Sequence, residues 1–260
     1  MNSALSETDY RPPAGYGVAV CDEIDSTNEE AKRRVGEGMP GPTWFIARSQ
    51  SAGKGRRGRE WVSEPGNLYA SLLLRPGASA AEAALLSFAS ALAVAEAIEE
   101  VTGVTRKLRC KWPNDVLYGG KKISGILLES ASSKEGALDW LVIGVGINLA
   151  HFPPQTSYPA TSIAAEGFAG ITAPDLFAAL ARRMDGWLET WRQEGFPPIR
   201  KAWLARAAGL GEAMVARTGS EDIAGRFKGL GPGGALLIEI EDGSLREILA
   251  GDVFPALTGA

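Results

Sequence analysis

The sequence has few of the residues that disulfide bonds and metal sites require. Its 260 residues include two cysteines, Cys21 and Cys110, and one histidine, His151. Two isolated cysteines make no disulfide framework, so we expect a reducing compartment and a cytoplasmic location. One histidine without a Cys-x-x-Cys pair argues against a zinc enzyme, and we predict no metal ligands in the chain. A Ser-His-Asp mechanism would have to use His151, which lies in a loop-like segment.

Targeting and membrane segments are also missing from the sequence. Residues 1–13 are polar and lack a basic start followed by an apolar stretch, so we expect no signal peptide. No run of 18 apolar residues occurs, so we expect no membrane span. The net charge of −4 argues against broad binding to nucleic acid. A hydrophobic share of 45% and a charged share of 22% are ordinary for a soluble globular protein.

Basic residues are concentrated in two short clusters. Residues 48–59 contain five basic side chains and no acid, and residues 106–122 contain six with the single acid Asp115. Basic clusters in an acidic chain suggest a local anionic ligand. For any one basic run, a solvated charged face is the alternative.

The apolar pattern predicts strands and helices in alternation without a clear βαβ rhythm. The predicted strands cover residues 17–21, 43–47, 67–74, 107–112, 116–118, 123–129 and 141–149. The predicted helices cover residues 25–34, 81–101, 175–193 and 199–208. We expect the first helix to begin with a capping box from Ser26 or Thr27, each with a glutamate three residues later. We expect the second to pack along one face and to stop at Gly103.

The predicted secondary structure changes near Gly209. From there on, short strands alternate with glycines, and Asp242-Gly243 between two of them is a hairpin signal like the earlier Gly119-Gly120. We therefore predict an α+β fold with two domains. A mixed β-sheet with helices would occupy residues 1–208, and a small all-β domain would occupy residues 209–260.

The segment Gly53–Gly58 matches the dinucleotide fingerprint by letter but not by context. The residues after it do not open a helix, and no acid stands about 20 residues further on. Lys54 and Arg56 are also misplaced for a Walker loop. Glycine backbone allows N–H groups to approach an anion closely, and arginine offers a planar fork for phosphate or carboxylate. Such a loop can close over a reactive acyl phosphate and exclude water.

A second group of polar residues follows the predicted strand at 107–112. Lys111 and Asp115 bracket the turn Trp-Pro-Asn, and Lys122 begins the next apolar strand. Cations stabilise the charge that spreads in nucleotidyl transfer, and a carboxylate can hold a metal or accept a proton. The residues alone leave a structural interpretation open, with Trp112 in the core and Asp115 as a turn former.

At five motifs, in order, the sequence resembles the biotin–protein ligases, also called biotin–[acetyl-CoA-carboxylase] ligases. The motifs are Asp-Ser-Thr-Asn at 25–28, the segment 50–58 with Trp61, Lys-Trp-Pro-Asn-Asp at 111–115, Lys-Ile-Ser-Gly-Ile at 122–126 and Gly-Val-Gly-Ile-Asn at 144–148. The resemblance implies a class II synthetase-like domain followed by an SH3-like β domain. It implies that biotin and Mg-ATP form biotinyl-5′-AMP. The biotinyl group then passes to a lysine of the biotin carboxyl carrier protein of biotin-dependent carboxylases.

The resemblance also implies roles for individual residues. The resemblance implies catalytic roles for Arg56, Lys111, Asp115 and Lys122. Contacts with biotin or biotinyl-AMP fall on Ser26, Thr27, Asn28, Gln50, Gly53, Lys54, Gly55, Arg56, Arg57, Trp61, Lys122, Gly125, Gly144 and Asn148. Of these, Ser26, Thr27 and Gln50 would bond the ring system of biotin. Trp61 would lie near the adenine, and the backbone of Gly125 and Gly144 would lie against biotin.

The sequence departs from the family pattern at two points. Lys54 stands where the better-known loop has arginine, and a lysine keeps the charge but loses the bidentate fork. About 20 residues precede the first motif, too few for the helix-turn-helix domain of the bifunctional repressors, so we expect no binding to DNA. The lack of a long apolar run leads us to expect no membrane partner. A homodimer stays open. The alternatives are a lipoate–protein ligase and a non-enzymatic protein that sequesters biotin or a nucleotide.

Overall fold

The computed structural model describes residues 6–132, 137–156 and 158–256, and the outermost residues of both predicted domains lie outside this range. Within the described residues, the chain forms a seven-stranded sheet, a five-stranded sheet and five α-helices. The first sheet consists of β1 (Gly17–Ile24), β2 (Thr43–Gln50), β3 (Leu68–Leu74), β4 (Leu108–Lys111), β5 (Asp115–Tyr118), β6 (Lys121–Ser132) and β7 (Leu138–Ile147). The helices are α1 (Thr27–Gly36), α2 (Ala80–Ala84), α3 (Leu86–Thr102), α4 (Ala173–Glu194) and α5 (Phe196–Ala205).

The first sheet has the order β1-β2-β3-β7-β6-β5-β4 and is mixed, as predicted. Strands β1 and β2 pair in parallel, and the other neighbours are antiparallel. The predicted hairpin at Gly119-Gly120 is confirmed, because both residues have positive φ angles and join Tyr118 to its register partner Lys121.

The two faces of this sheet are covered differently. Alternate residues of β2 point to opposite faces, so that Trp44 and Ile46 belong to the main core and Phe45 to a small second core. Helices α3, α4 and α5 pack on the main-core side, whereas α1 packs on the other side through Ala31. Because α1 is short, part of that second face stays free of helices.

The predicted helix at 81–101 differs from the structure in two respects. It is two helices, since α2 ends before Leu85 and α3 begins after it. It also does not pack along one face, because α3 is inserted between the sheet and α4 and is buried around most of its circumference. Its many alanines allow this close packing on all sides. The predicted stop is confirmed, since Gly103 ends α3 in the left-handed conformation.

The predicted capping box of α1 is wrong, although the helix itself is present. Ser26 occupies the N-cap position, but its side chain makes no capping hydrogen bond. The N–H of Thr27 instead donates to the side chain of Gln50 at 2.8 Å. Both glutamates are engaged elsewhere, Glu29 by lysines and Glu30 by arginines.

The second sheet is antiparallel throughout, with the order β11-β10-β9-β8-β12. Its strands are β8 (Ala213–Arg217), β9 (Asp222–Leu230), β10 (Leu236–Glu239), β11 (Leu245–Ile248) and β12 (Asp252–Pro255). The predicted hairpin at Asp242-Gly243 joins β10 to β11. The indole N–H of Trp112 donates to the carbonyl of Gly234 at 3.1 Å, so this sheet is attached to the turn after β4. The domain boundary at residue 209 stays a prediction.

One helical stretch, residues 80–102, is long and apolar enough to cross a membrane by length and composition. Of its most apolar window, 67% is buried inside the fold, as expected for the core helix of a globular protein. The stretch is therefore weak evidence for a membrane span.

We predict that Phe177→Ala lowers the free energy of unfolding by about 3–5 kcal/mol, because it leaves a cavity in the core. Phe177 is 0% exposed and makes edge-to-face contacts with Tyr10 and Trp44. Chemical denaturation measures the change. Phe152 is 39% exposed, and Phe152→Ala is the control, with an expected change within about 0.5 kcal/mol. Equal effects of the two variants would contradict the core assignment.

Candidate functional site

A cavity of about 360 Å³ lies on the helix-free part of the second face of the first sheet. Its walls come from the start of α1, the glycine-rich loop, residues 153–156 and 158–160, and strand β12 of the second sheet. Most of the residues predicted from the motifs line it: Ser26, Thr27, Asn28, Gln50, Lys54, Gly55, Arg56, Trp61, Lys111, Asp115, Lys122, Gly125, Gly144 and Asn148. Motifs that are far apart in the sequence therefore meet in one place.

Bare backbone forms the floor of the cavity. Gly125 of β6 and Gly146 of β7 are register partners, and Gly144 lies on the same face of β7. The indole ring of Trp61 lies directly on Gly125 and Gly146. A Cβ atom on Gly146 would be 2.5 Å from the ring, and one on Gly125 would be 3.0 Å from it. Sequence reasoning missed Gly146, although the Gly-Val-Gly alternation puts it on the same face as Gly144.

Amides and hydroxyls line one end of the cavity. Gln50 is held at both ends of its amide, because its Oε1 accepts the N–H of Thr27 at 2.8 Å and its Nε2 donates to Ser63 at 2.8 Å. The Nδ2 of Asn28 donates to Glu129 at 2.8 Å, and the hydroxyl of Ser71 lies 2.6 Å from Asn28 Oδ1. These contacts fix the orientation of both amides at this end.

The side chain of Asn28 fills the space above Gly144. A Cβ atom on Gly144 would lie 2.3 Å from Asn28 Oδ1, so only glycine fits at this position. The sequence assigned Gly144 a backbone contact with the ligand. The structure places Asn28 against this glycine, and both residues line the cavity.

Two lysines and a carboxylate form the opposite end. Asp115 Oδ1 lies 2.6 Å from Lys122 Nζ, and Asp115 Oδ2 lies 3.5 Å from Lys111 Nζ. Asp115 and Lys111 are each only 8% exposed, and burial lowers the pKa of Lys111. Two cations share one carboxylate here, so this end carries excess positive charge and attracts an anion.

Two aromatic residues that sequence reasoning missed cover this basic end. The Nζ of Lys111 lies 4.6 Å from the ring centroid of Tyr158 and 5.7 Å from that of Phe254. Burial raises the pKa of Tyr158. Tyr158 comes from a loop and Phe254 from the second sheet, so no local motif could have associated them with Lys111.

The basic residues of the loop have different partners. Arg56 donates to the side chain of Asn114 at 3.3 Å and to the carbonyl of Gly251 at 3.4 Å, and burial lowers its pKa. An arginine stays charged at neutral pH despite such a shift. Lys54 donates to Glu29 of α1 at 2.7 Å. Thus Arg56 bonds to neutral oxygens, whereas Lys54 is paired with an acid.

Asp252 of β12, which sequence reasoning also missed, holds the loop from the second sheet. Arg59 donates to its carboxylate, and Arg57 lies 3.5 Å from it. Burial would raise the pKa of Asp252, but the hydrogen bond from Arg59 and the nearby arginine charges hold it below its usual value. The loop is therefore attached to both sheets.

Two of the predicted site residues lie away from the lining of the cavity. Gly53 is packed tightly, since a Cβ atom there would lie 2.4 Å from the carbonyl oxygen of Trp61. Arg57 has a φ of 57°, and its side chain is 41% exposed and lies 3.5 Å from Asp252. Asn148 does line the cavity, where its Nδ2 donates to the carbonyl of Thr161 at 3.0 Å.

The described acidic residues that line the cavity, Glu60, Asp115 and Asp252, are not grouped as metal ligands would be. In the part of the chain that the structure describes, no group of three or more His, Cys, Asp or Glu residues could hold a metal ion. The cavity instead changes in polarity along its length, from fixed amides through an apolar indole to cations. This order suits an elongated ligand with a hydrogen-bonding head, an apolar middle and an anionic end.

Two family models match the chain. A model described as the biotin/lipoate A/B protein ligase family covers residues 20–148. A model described as the biotin protein ligase C terminal domain covers residues 209–254.

Individual relatives and a solved structure agree with these models. A biotin–[acetyl-CoA-carboxylase] ligase of Paracoccus denitrificans is 43% identical over 219 residues, covering 82% of this chain and 90% of the relative. The bifunctional ligase/repressor BirA of Escherichia coli is 35% identical, covering 92% of this chain and 74% of the relative. The structure of the biotin protein ligase of Aquifex aeolicus in complex with biotin and ATP matches with a TM-score of 0.79 at 30% identity. The match covers 92% of this chain and 97% of the Aquifex chain.

We predict that Asp252→Asn loosens the loop. Pairs of partly exposed charges contribute about 1 kcal/mol, so trypsin should cut after the loop arginines about fivefold faster. Asp242→Asn, in the exposed hairpin of the same sheet, is the matched control and should leave the cleavage rate unchanged. Since the pKa of Asp252 is lowered, the pairing persists at neutral pH and is lost only as the pH falls through that lowered value. Equal cleavage of wild type and Asp252→Asn would remove Asp252 from this role.

Proposed function

The chain belongs to the biotin protein ligase family, and from this premise we propose that its cavity carries out both steps of ATP-dependent protein biotinylation. The protein activates biotin with ATP and transfers the biotinyl group to the biotin carboxyl carrier protein of a biotin-dependent carboxylase. The order of polarity along the cavity supports this function most directly.

Biotin fits this order from end to end. Its ureido head would meet Thr27, Asn28 and Gln50, where hydroxyl and amide groups are held in place. Its thiophane ring and aliphatic chain would lie along the glycine floor beside Trp61. Its carboxylate would then reach the basic end at Lys122.

In the first step, a biotin carboxylate oxygen attacks the α-phosphorus of ATP. An acyl–phosphate bond forms, the bond to the β-phosphate breaks, and pyrophosphate leaves. We place Lys122, Lys111 and Arg56 around the phosphorus, where their charges would stabilise the developing negative charge. Of these three cations, Lys122 has the closest acidic partner, since its Nζ lies 2.6 Å from Asp115 Oδ1. Its ammonium group is therefore held in position before the substrates bind.

In the second step, the amine of the acceptor lysine attacks the acyl carbon and AMP leaves. The amine must lose a proton to attack. Asp115 is the carboxylate at the basic end of the cavity, and we assign to it the orientation of this amine and acceptance of its proton. The adenylate is reactive towards water, and the loop over the cavity would protect it.

The proposal includes Mg²⁺, which would enter the cavity bound to ATP. Asp115 is already paired with two lysines and Asp252 with Arg59, so the described carboxylates that line this end are engaged. The ion would be held mainly by phosphate oxygens and water, and it would neutralise charge on the leaving pyrophosphate.

Three expectations from the sequence also belong to the proposal. Both Cys21 and Cys110 are free thiols, which supports a reducing, cytoplasmic location. The E. coli relative is named a ligase and repressor, so the expected lack of DNA binding requires a direct binding assay with duplex DNA. The homodimer stays open, and sedimentation would determine it.

The function is tested by incubating the protein with biotin, ATP, Mg²⁺ and a carrier domain. A mass increase of one biotinyl group on the carrier would support the proposal. The family model also covers lipoate ligases, so pyrophosphate exchange with biotin or lipoate as the only acid distinguishes the two substrates. Lipoate-dependent exchange without biotin-dependent exchange would refute the assignment. Biotin binding without exchange or transfer would indicate a sequestering protein.

We predict that Lys122→Ala lowers the rate of biotin-dependent pyrophosphate exchange by about 100-fold, as expected for the loss of a group that stabilises transition-state charge. Its neighbour Lys121 bonds to Glu166 at 2.8 Å outside the cavity, and Lys121→Ala is the matched control. The control should stay within about twofold of wild type. Exchange at the wild-type rate in Lys122→Ala would exclude Lys122 from adenylate formation.

A further inference from the structure

A row of positive charges continues beyond the basic end of the cavity onto the second sheet. Asp252 and Phe254 of β12 both line the cavity, so the face of the sheet that carries them is turned towards it. Arg217 of β8 is the register partner of Asp252, and its side chain therefore lies on the same face. The guanidinium carbon of Arg217 lies 4.7 Å from the ring centroid of Phe254. Arg217 is thus next to the cavity, where no sequence motif had placed it.

The ring of Phe254 connects Arg217 to the basic end. The Nζ of Lys111 lies 5.7 Å from the same ring centroid, and Lys111 and Lys122 share one carboxylate. Lys122 Nζ in turn lies 5.4 Å from the ring centroid of Trp61, which covers the glycine floor. Starting from the floor, the cations therefore follow in the order Lys122, Lys111 and Arg217.

The charge of Arg217 is only weakly neutralised by the protein. Its Nε lies 3.4 Å from Asp222, and the two side chains are 58% and 62% exposed, so the pair gains little. Its register partner Asp252 already accepts a hydrogen bond from Arg59. The ring of Phe254 holds the guanidinium in place without removing its charge. Arg217 therefore keeps its charge for a ligand.

The proposed reaction directs its leaving group towards this row of cations. In a phosphoryl-type displacement, the attacking and leaving oxygens lie roughly in line across the phosphorus. The biotin carboxylate arrives from the glycine floor, so the bond to the β-phosphate points away from the floor. Arg56, Lys111 and Lys122 surround the phosphorus that is attacked. The two phosphates beyond it carry most of the charge of ATP and need a cation further out.

We propose that Arg217 binds the β- and γ-phosphates of ATP and the pyrophosphate that leaves. The inference rests on the proposed function, because it takes biotin and ATP to react in this cavity. A guanidinium suits this role, since its planar fork bonds to two phosphate oxygens at once. Arg217 contacts ATP and pyrophosphate but not biotinyl-5′-AMP, which lacks both phosphates. Its contribution is therefore confined to the first step.

The test measures carrier biotinylation by Arg217→Ala at varied concentrations of ATP and of biotin. We expect the KM for ATP to rise about tenfold, as for the loss of one charged hydrogen bond, and the KM for biotin to change by about twofold or less. In pyrophosphate exchange, the KM for pyrophosphate should also rise about tenfold. Purified biotinyl-5′-AMP should react with the carrier at the wild-type rate. Arg217→Lys keeps the charge but loses the fork, so its KM for ATP should lie between the two.

Two further variants separate phosphate binding from effects on the second sheet. Arg246 of β11 pairs with Glu221 at 2.7 Å outside the lining of the cavity, so Arg246→Ala is the matched control and should keep the KM for ATP within about twofold. Asp222→Asn removes the acid beside Arg217 and should not raise the KM for ATP, because it frees the arginine charge. An increase in Asp222→Asn as large as in Arg217→Ala would assign the effect to the ion pair and overturn the inference.

The other outcomes distinguish this inference from the proposed function. An unchanged KM for ATP in Arg217→Ala, or equal increases for ATP and biotin, would overturn the inference and leave the function intact. Slower transfer from biotinyl-5′-AMP at an unchanged KM for ATP would do the same and would assign Arg217 to docking of the carrier. A wild-type protein without biotin-dependent pyrophosphate exchange would overturn both.

Discussion

The cavity depends on the absence of side chains at three positions of the central strand pair. Gly125, Gly144 and Gly146 lie on one face of β6 and β7. A Cβ atom would collide with Asn28 at Gly144 and with Trp61 at Gly146, and at Gly125 it would be only 3.0 Å from Trp61. The opposite face of the same strands is packed with large apolar residues beneath α3. The sheet is therefore rigid on its core side and bare on its ligand side, and a planar group can lie directly on its backbone.

Charge at the other end of the cavity depends on both sheets. Lys111 and Asp115 flank the turn between β4 and β5, and the indole of Trp112 in that turn is bonded to the carbonyl of Gly234 in the second sheet. Phe254 from β12 then lies close to Lys111. The second sheet thus excludes water from a lysine whose charge would be less effective if it were solvated. The site could not be complete in the first sheet alone.

The sequence identified the cavity residues that belong to recognisable motifs. It missed the residues that only the tertiary fold brings to the cavity. The motif residues could be placed because glycines and cations at fixed spacing have a direct chemical interpretation. Tyr158, Asp252 and Phe254 could not, since they are polar or aromatic residues without a local pattern. The errors over α1 and α3 have the same cause. The tertiary partners of Glu29 and the burial of α3 between two layers override the local helix signals.

The partners of the loop's basic residues distinguish their roles. A loop cation that bonds to a carboxylate outside the loop holds the loop in place, whereas one that bonds to neutral oxygens keeps its charge for a ligand. Lys54 is paired with Glu29, and Arg59 is paired with Asp252, so both cations hold the loop against its surroundings. Arg56 is buried and bonds to the neutral oxygens of Asn114 and Gly251. Its charge is thus the one in the loop best placed for an anion. A lysine is sufficient at position 54, because attachment to a single carboxylate needs a charge and not the bidentate fork of arginine.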